Sequence, residues 1–509
     1  MKIAFKCQEK LLLFFILILS AFLRLHRVQD YMTFLGDEGR DVLVVYNILH
    51  GKLTLLGPTA SVGGFFLGPI YYYFMTPFLW LFNYDAVGPA IMVALFGVAT
   101  VWLVYLVVKN IFNKKVALIT AFLFSISPLV VTYSRTSWNP NLMPFFSLLS
   151  LFILYLGLVR KKAKFFIISG FLLGIAMQLH YLATFLSVVM FFQVLLFNLA
   201  LLKKYNVLKS SLKQYLQIFI GFIIGWSPFI AFELRHNFLN IKSIFAFIFN
   251  SPDTGASGNF FIIIADVFYR LFSRIFVTEA YQLGSLPSFI FIGIGLFLVF
   301  LILLHIKSNI NNKEKLLPSI FLINWLFFGI LLFGFYKKPI YDYYLGFMFP
   351  LPFLIFGFAL FHFWKTKLKY LFLTLILVSV ILNLNNHPFK KPANRQYLQA
   401  KSISKFIYDK TEGKPFNFAL ITGGNSDHAY RYFFSVWKVP SVVIEEPVKD
   451  PNRSSATDQL FVVCESIPCL PLGNSLWEIA GFGRAEIAGE WDVSVVRVYK
   501  LIHYKEESK

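Results

Sequence analysis

Eleven apolar stretches, most of about 17–22 residues, constrain this chain more than any other feature. A helix of that length crosses the ~30 Å hydrocarbon layer of a bilayer. They lie at about 11–28, 87–108, 116–133, 142–159, 165–181, 183–202, 214–232, 286–306, 316–335, 345–364 and 368–385. Only 14% of the 509 residues are charged and 57% are hydrophobic, which excludes an ordinary soluble domain. The expected fold class is an all-α polytopic membrane bundle of about 11 transmembrane helices, with a small C-terminal α/β domain. Leu11–Ala21 is flanked by Lys2, Lys6 and Lys10 and by Arg24 and Arg27, without a small-residue cleavage site, and reads as a retained first span.

The net charge of +21 belongs to the membrane part. Residues 1–385 hold 31 Lys+Arg against 12 Asp+Glu, whereas residues 386–509 hold 16 against 14. With the N-terminus in the cytosol, the inside loops are 109–115, 160–164, 203–213, 307–315 and 365–369, and they carry 17 basic residues with Glu314 as their single acid. That is the positive-inside pattern of a plasma-membrane protein, and it excludes a nucleic-acid binder. Gly68–Phe82 is apolar but short and aromatic. Counting it as a span would turn all 17 basic residues outward, so it reads as an interfacial or re-entrant helix.

The expected domains are a membrane domain over 1–385 and an extracytoplasmic domain over 386–509, with large outside loops at 29–86 and 233–285. The second loop holds a polar turn at Ser251–Gly255 and an amphipathic stretch at Phe260–Val277. In the tail, Arg395–Lys410 reads as a helix, and Phe416–Ile421, Ser441–Glu445, Leu460–Cys464 and Val493–Leu501 read as strands. Cys464 and Cys469 are close enough in sequence to pair outside the cell, though spacing alone does not decide it.

Gly36-Asp37-Glu38-Gly39-Arg40-Asp41 follows the first span and precedes an apolar helical run, Val42–Leu49. Carboxylates at the mouth of a membrane bundle are solvated, paired or used. This segment, then Gly68-Pro69-Ile70-Tyr71-Tyr72-Tyr73, then Lys337-Lys338-Pro339-Ile340-Tyr341, resembles the GT-C class of membrane glycosyltransferases in order and topology. The branch it looks most like holds protein O-mannosyltransferases and the lipid A aminoarabinose transferase (glycosyltransferase family 39-like). The likeness covers about residues 10–385. It implies a polyprenyl-phosphate sugar as donor, used on the outer face of the membrane. Two departures stand out. The branch often has Asp-Pro where this chain has Asn139-Pro140, and a basic residue where it has Gly68, so the phosphate-binding task passes to other cations.

Moving a sugar from a phosphoester to a hydroxyl needs a base at the acceptor and cations around the departing phosphate. One base and no covalent step implies inversion. Asp37 has two readings that can coexist, a helix N-cap and the general base, and the resemblance favours the base. Glu38 is a second catalytic candidate, as an acceptor-orienting group, a metal ligand or a partner of the helix N-terminus. Asp41 reads as a solvated surface charge. Candidates for the phosphate are Arg40, Arg135, Arg235, Lys337 and Lys338, all on the outside, with headgroup anchoring as the alternative for each. Arg270 and Arg274 read as interfacial anchors. His180, Tyr181, Asn139, Tyr341 and Tyr344 are candidates for sugar or acceptor contacts, and the tyrosines equally suit an aromatic belt. A divalent cation on Asp37, Glu38 and His180 or His236 stays open.

The acceptor stays open among protein, lipid and glycan. A transporter or flippase of envelope glycolipids is the rival class, but it would place charge mid-membrane or show two related halves. A glycan polymerase or ligase is the other alternative.

Overall fold

The computed structural model describes residues 2–60, 63–250, 259–275, 277 and 283–504, with side chains from residue 8 onward. The turn expected at Ser251–Gly255 lies outside the described residues. Six helical runs are long and apolar enough to cross a membrane: Val87–Ile111, Asn139–Arg160, Ala183–Leu201, Leu286–Ser308, Lys313–Phe335 and Leu368–Lys390. Two bent pairs pass the same test. Lys204–Gly225 and Ser227–Arg235 meet at 69°, and Asp342–Met348 and Leu351–Phe363 meet at 45°. The chain is an integral membrane protein with six to eight such spans among the described residues, where eleven were expected.

The other three expected spans are helical but differ in kind. Lys2–Leu25 is charged in its first half. Ser127-Pro128 splits 116–133 into Lys114–Ile126 and Pro128–Tyr133, because a proline lacks the N–H that a continuing helix needs. Pro228 acts alike at the 69° bend. Ala163–Leu179 has 17 residues. The aromatic segment after Gly68 forms a 12-residue helix, Ile70–Leu81, which rises only ~18 Å.

The chain forms two compact units. The first comprises residues 1–26, 54–74 and 91–392, and the second comprises 27–53, 75–90 and 393–509. In the first, Ala163–Leu179 and Lys204–Gly225 approach through Gly170 and Gly174 on one helix and Gly221 and Gly225 on the other. A Cβ at Gly170 would stand 1.9 Å from Ile218 O, and one at Gly221 would stand 1.9 Å from Ile167 O. Without a hydrophobic drive between helices in lipid, such small-residue stripes supply the packing. Gln178 Nε2 adds a hydrogen bond to Gly225 O at 2.6 Å.

The second unit is built on a four-stranded sheet of order β1-β2-β4-β3, with β1 Asn417–Ile421, β2 Gln459–Cys464, β3 Ala485–Val493 and β4 Val496–His503. β1 and β2 are parallel, and the other pairings are antiparallel. Leu460, Val462 and Cys464 share a core with Ile479, Phe482 and Leu501, while Phe461 packs near Phe416. Apolar groups on both faces explain why β2 reads as one continuous apolar run. The helix Gln396–Lys410 forms as expected. Ser441–Glu445 makes only an isolated bridge, Asn417 with Val442, and is not a strand. β3, which was not expected, pairs among the described residues with β4 alone, exposes much of its surface and carries an irregularity between Ile487 and Gly489. Cys464 and Cys469 form a disulfide. Residues 27–53 join this unit through Phe34, packed among Tyr397, Tyr432 and Phe433, and through the Arg395 N–H bond to Asp30 O at 2.9 Å.

Candidate active site

The helix Gly36–Leu49 carries the acidic pair, and its capping group is Glu38 rather than Asp37. One Glu38 oxygen accepts from Leu35 N–H at 3.0 Å and the other from the Thr33 hydroxyl at 2.5 Å, which satisfies an N–H at the helix start. Burial pushes the Glu38 carboxyl above its ordinary range. Arg40 lies between the remaining two carboxylates. Its Nη1 donates to Asp37 Oδ1 at 3.0 Å, and its Nε and Nη2 donate to Asp41 Oδ1 at 3.0 and 2.8 Å. Asp41, expected to be solvated, is fully buried. Asp37 alone of the three is exposed, its side chain 56% accessible and held through one oxygen.

The tail fixes this turn. Gly36 N–H donates to Asn425 Oδ1 at 2.8 Å, and Asn425 Nδ2 donates in turn to Glu465 at 3.1 Å. Glu465 also accepts from the Thr422 hydroxyl at 2.7 Å and from Tyr430 at 2.9 Å. A Cβ at Gly36 would stand 2.1 Å from Ser426 Oγ, and one at Gly39 would stand 2.3 Å from Ala429 N, so the acidic helix lies directly on the start of His428–Val436. Ser426 Oγ and His428 Nδ1 share a hydrogen bond of 2.7 Å. Burial holds the His428 imidazole below its ordinary value, and the charges of Asp427, Arg40, Arg431 and Asp37 all act on it. None of these tail residues was singled out from sequence. The polar run Asn425–His428 was the available signal.

In the first unit, the sugar-contact candidates gather into one aromatic cluster. His180 is buried, accepts from Leu182 N–H at 3.2 Å, stacks on Tyr181 at 4.6 Å and lies 5.6 Å from the Tyr344 ring. The Tyr181 and Tyr336 hydroxyls are 3.3 Å apart, and Tyr336 donates to Tyr344 at 3.5 Å. Tyr341 stacks with Tyr343, which packs on Trp138, while Asn139 Nδ2 donates to Leu179 O at 2.5 Å. Trp138 and Tyr336 are members that sequence reasoning missed.

The expectation that Arg270 and Arg274 anchor at the interface is wrong, because both are buried. Arg274 bonds Asp342 at 2.6 Å, and Arg270 bonds Asp266 at 2.6 Å and Ile340 O at 2.7 Å. They fasten the segment that carries Tyr341–Tyr344.

The phosphate candidates separate by environment. Arg135 is buried and donates to Leu23 O at 2.7 Å and His26 O at 2.7 Å, at the end of the first helix. Both terminal nitrogens of its fork donate to carbonyls at that helix end. Arg235, Lys337 and Lys338 are exposed. His236 is exposed too, its ring stacked on Phe232.

Residues 67–232 match the sequence model of the family described as dolichyl-phosphate-mannose-protein mannosyltransferase. YkcB of Bacillus subtilis (strain 168), provisionally named a mannosyltransferase, is 27% identical over 146 residues, a match spanning 28% of this chain and 20% of YkcB. ArnT from Cupriavidus metallidurans, solved with undecaprenyl phosphate, superposes with a TM-score of 0.63 at 12% identity, over 96% of this chain and 97% of ArnT. The chain has the GT-C glycosyltransferase fold. AglB, the oligosaccharyltransferase of Archaeoglobus fulgidus solved with an inhibitory peptide and a dolichol-phosphate, matches at TM-score 0.50 and 14% identity, over 90% of this chain and 69% of AglB.

Among the described residues no group of three or more His, Cys, Asp or Glu side chains comes together in a way that could hold an ion. Glu38 already uses both oxygens, and Asp41 is bound by Arg40.

Glu38 gives a pH prediction. Its carboxyl is raised in the folded state, so the fold binds that proton more tightly than the unfolded chain does. The resulting stability is complete below the unfolded value of ~4.3 and is lost as the pH rises through the folded value. Glu38→Gln keeps a neutral hydrogen-bonding group there. It is expected to match or exceed wild-type thermal stability at neutral pH and to lose this part of the pH dependence. A melting series from about pH 4 to 8 checks it.

Proposed function

We propose that this chain transfers one sugar from a polyprenyl-phosphate donor to a hydroxyl acceptor at the outer face of the cytoplasmic membrane, with inversion. The observation that carries this reading is the division of labour in the acidic turn. Glu38 and Asp41 are buried and engaged, whereas Asp37 is exposed, oriented by Arg40 through one oxygen and open at the other among the described residues.

In the reaction, Asp37 takes the acceptor hydroxyl proton as the acceptor oxygen bonds to the anomeric carbon. The bond from that carbon to the phosphate oxygen breaks, and polyprenyl phosphate leaves with the electron pair. Cations stabilise the departing charge. Lys337, Lys338 and Arg235 are the exposed candidates, and Arg40 is the one beside the base. His180, Tyr181, Asn139, Tyr341 and Tyr344 form the cluster suited to contact the sugar.

The lipid-phosphate donor is supported by the undecaprenyl phosphate in the ArnT structure and the dolichol-phosphate in the AglB structure. Sidedness is supported in two ways. Lys109 and Lys114 pair with Glu9 of the N-terminal helix at 2.8 and 3.2 Å, placing that basic loop on the N-terminal side. The Cys464–Cys469 disulfide suits an oxidising compartment.

Purified protein in lipid nanodiscs, given undecaprenyl-phosphate mannose or aminoarabinose with peptide and glycolipid acceptors, is expected to release undecaprenyl phosphate and form a product of inverted anomeric configuration. Retention of configuration, or no consumption of any lipid-phosphate sugar by folded protein, would overturn the proposal.

A further inference from the structure

The tail contains a cavity of about 270 Å³ that the reaction above does not use. It is close to the ~300 Å³ at which ligand pockets begin, so it suits a small ligand. Its lining includes Glu445, Asp450, Arg453, Trp477, Gly481 and Gly483.

Hydrogen bonds hold the Trp477 and Arg453 walls. The Trp477 indole N–H donates to Ile444 O at 2.9 Å, which fixes the ring while leaving the residue 42% exposed. Arg453 donates to Gly481 O at 2.5 Å. Gly483 has φ +95°, and a Cβ there would stand 2.9 Å from Arg453 Nη2. A Cβ at Gly481 would meet Ile444 Cγ2 at 2.9 Å and Trp477 Cε2 at 3.2 Å. Side chains at these two positions would crowd the groups that form the cavity.

The chemistry of the lining narrows the occupant. Asp450 is spent internally, its two oxygens accepting from the backbone and hydroxyls of Ser454 and Ser455 at 2.6 to 3.0 Å. Those bonds hold its carboxyl down at about 2. The Glu445 carboxylate is about half exposed, with Lys449 at 3.8 Å. An indole, a carboxylate acceptor and a guanidinium donor therefore border one small space, and the nearby charges balance. A free phosphate would face two carboxylates, and a polyprenyl tail would find no long apolar groove. Such a lining suits a sugar ring, which stacks its C–H face on an indole and uses its hydroxyls on carboxylate and guanidinium groups.

We propose that the Trp477 cavity is a non-catalytic binding site for an uncharged sugar residue, through which the tail holds a glycan. The proposal extends the glycosyltransferase reading, but binding is measured without turnover, so the two can fail separately.

The test is saturation-transfer NMR on the full-length protein in nanodiscs, with methyl α-mannoside, methyl β-glucoside and N-acetylglucosamine as probes. At least one probe is expected to bind at roughly millimolar affinity. Trp477→Ala should weaken it roughly tenfold, with Trp477→Phe restoring most of the signal and Asp37→Asn leaving it unchanged. The phenylalanine variant separates lost stacking from lost folding. Absence of binding by all three probes, equal binding by Trp477→Ala, or displacement by millimolar inorganic phosphate would each overturn the proposal.

Discussion

Asp37→Asn is expected to lower the turnover of sugar transfer by ~100- to 10,000-fold, the range lost when a general base is removed. The donor KM should stay close to wild type. Asparagine is nearly isosteric and can still accept the Arg40 hydrogen bond that Asp37 Oδ1 receives. The Asp37–Arg40 pair is largely solvent-exposed on its carboxylate side, so its loss should cost only ~0–1 kcal/mol of stability. A large loss of turnover with unchanged melting and donor binding therefore assigns the carboxylate to chemistry. Turnover near wild type would assign it to the surface. Single-turnover transfer from a labelled lipid donor, with donor binding measured in parallel, makes the comparison.

Gly39→Ala should produce the second large effect by a different route. The added Cβ would lie 2.3 Å from Ala429 N and 2.5 Å from Ala429 Cα, which are backbone atoms that cannot turn aside. The acidic helix would have to lift from the tail helix, at a cost of ~1–3 kcal/mol typical of overpacking. Asp37 lies two residues earlier on the same turn, so its carboxylate would move with it. Turnover is expected to fall more steeply than stability. Gly293→Ala, where a Cβ would meet nothing within 4 Å, is the control and should be neutral. Melting temperature and transfer rate measured on both variants decide the matter. A Gly39→Ala protein with normal rate and stability would show that the contact with Ala429 does not position the turn.

The membrane character of the chain was legible because it is written locally. Long apolar runs and basic loops are properties of contiguous residues, and they gave the helices and their order. The bend at Pro228 and the break at Ser127-Pro128 coincide with prolines in the sequence, but their consequence for counting spans depends on length and angle, which a hydropathy run does not carry.

The acidic turn was found from sequence, yet the roles within it were not. The i, i+4 spacing of Asp37 and Asp41 places them on one helical side but says nothing of what covers it. Asp41 is buried because its helix packs in a unit with residues far along the chain, such as Asn425 and Ala429. Glu38 took the capping role assigned to Asp37 because it can reach back to Leu35 N–H.

The same reason hid Arg270 and Arg274, whose counter-ion Asp342 is about 70 residues away. β3 escaped notice because an edge strand with charged residues and Gly489 lacks the apolar run by which β2 was recognised. The aromatic cluster was half legible. His180, Tyr181, Tyr341 and Tyr344 were named, while Trp138 and Tyr336 are joined to them only through the fold.

The most direct test of the account is the side of the membrane on which the exposed carboxylate stands. Asp37→Cys in intact cells, treated with a membrane-impermeant maleimide, is expected to label from outside. Cys7 near the N-terminus should stay protected until the membrane is opened, and the bonded Cys464–Cys469 pair should not react. Labelling at position 37 only after permeabilisation would place the acidic turn in the cytosol and contradict the account.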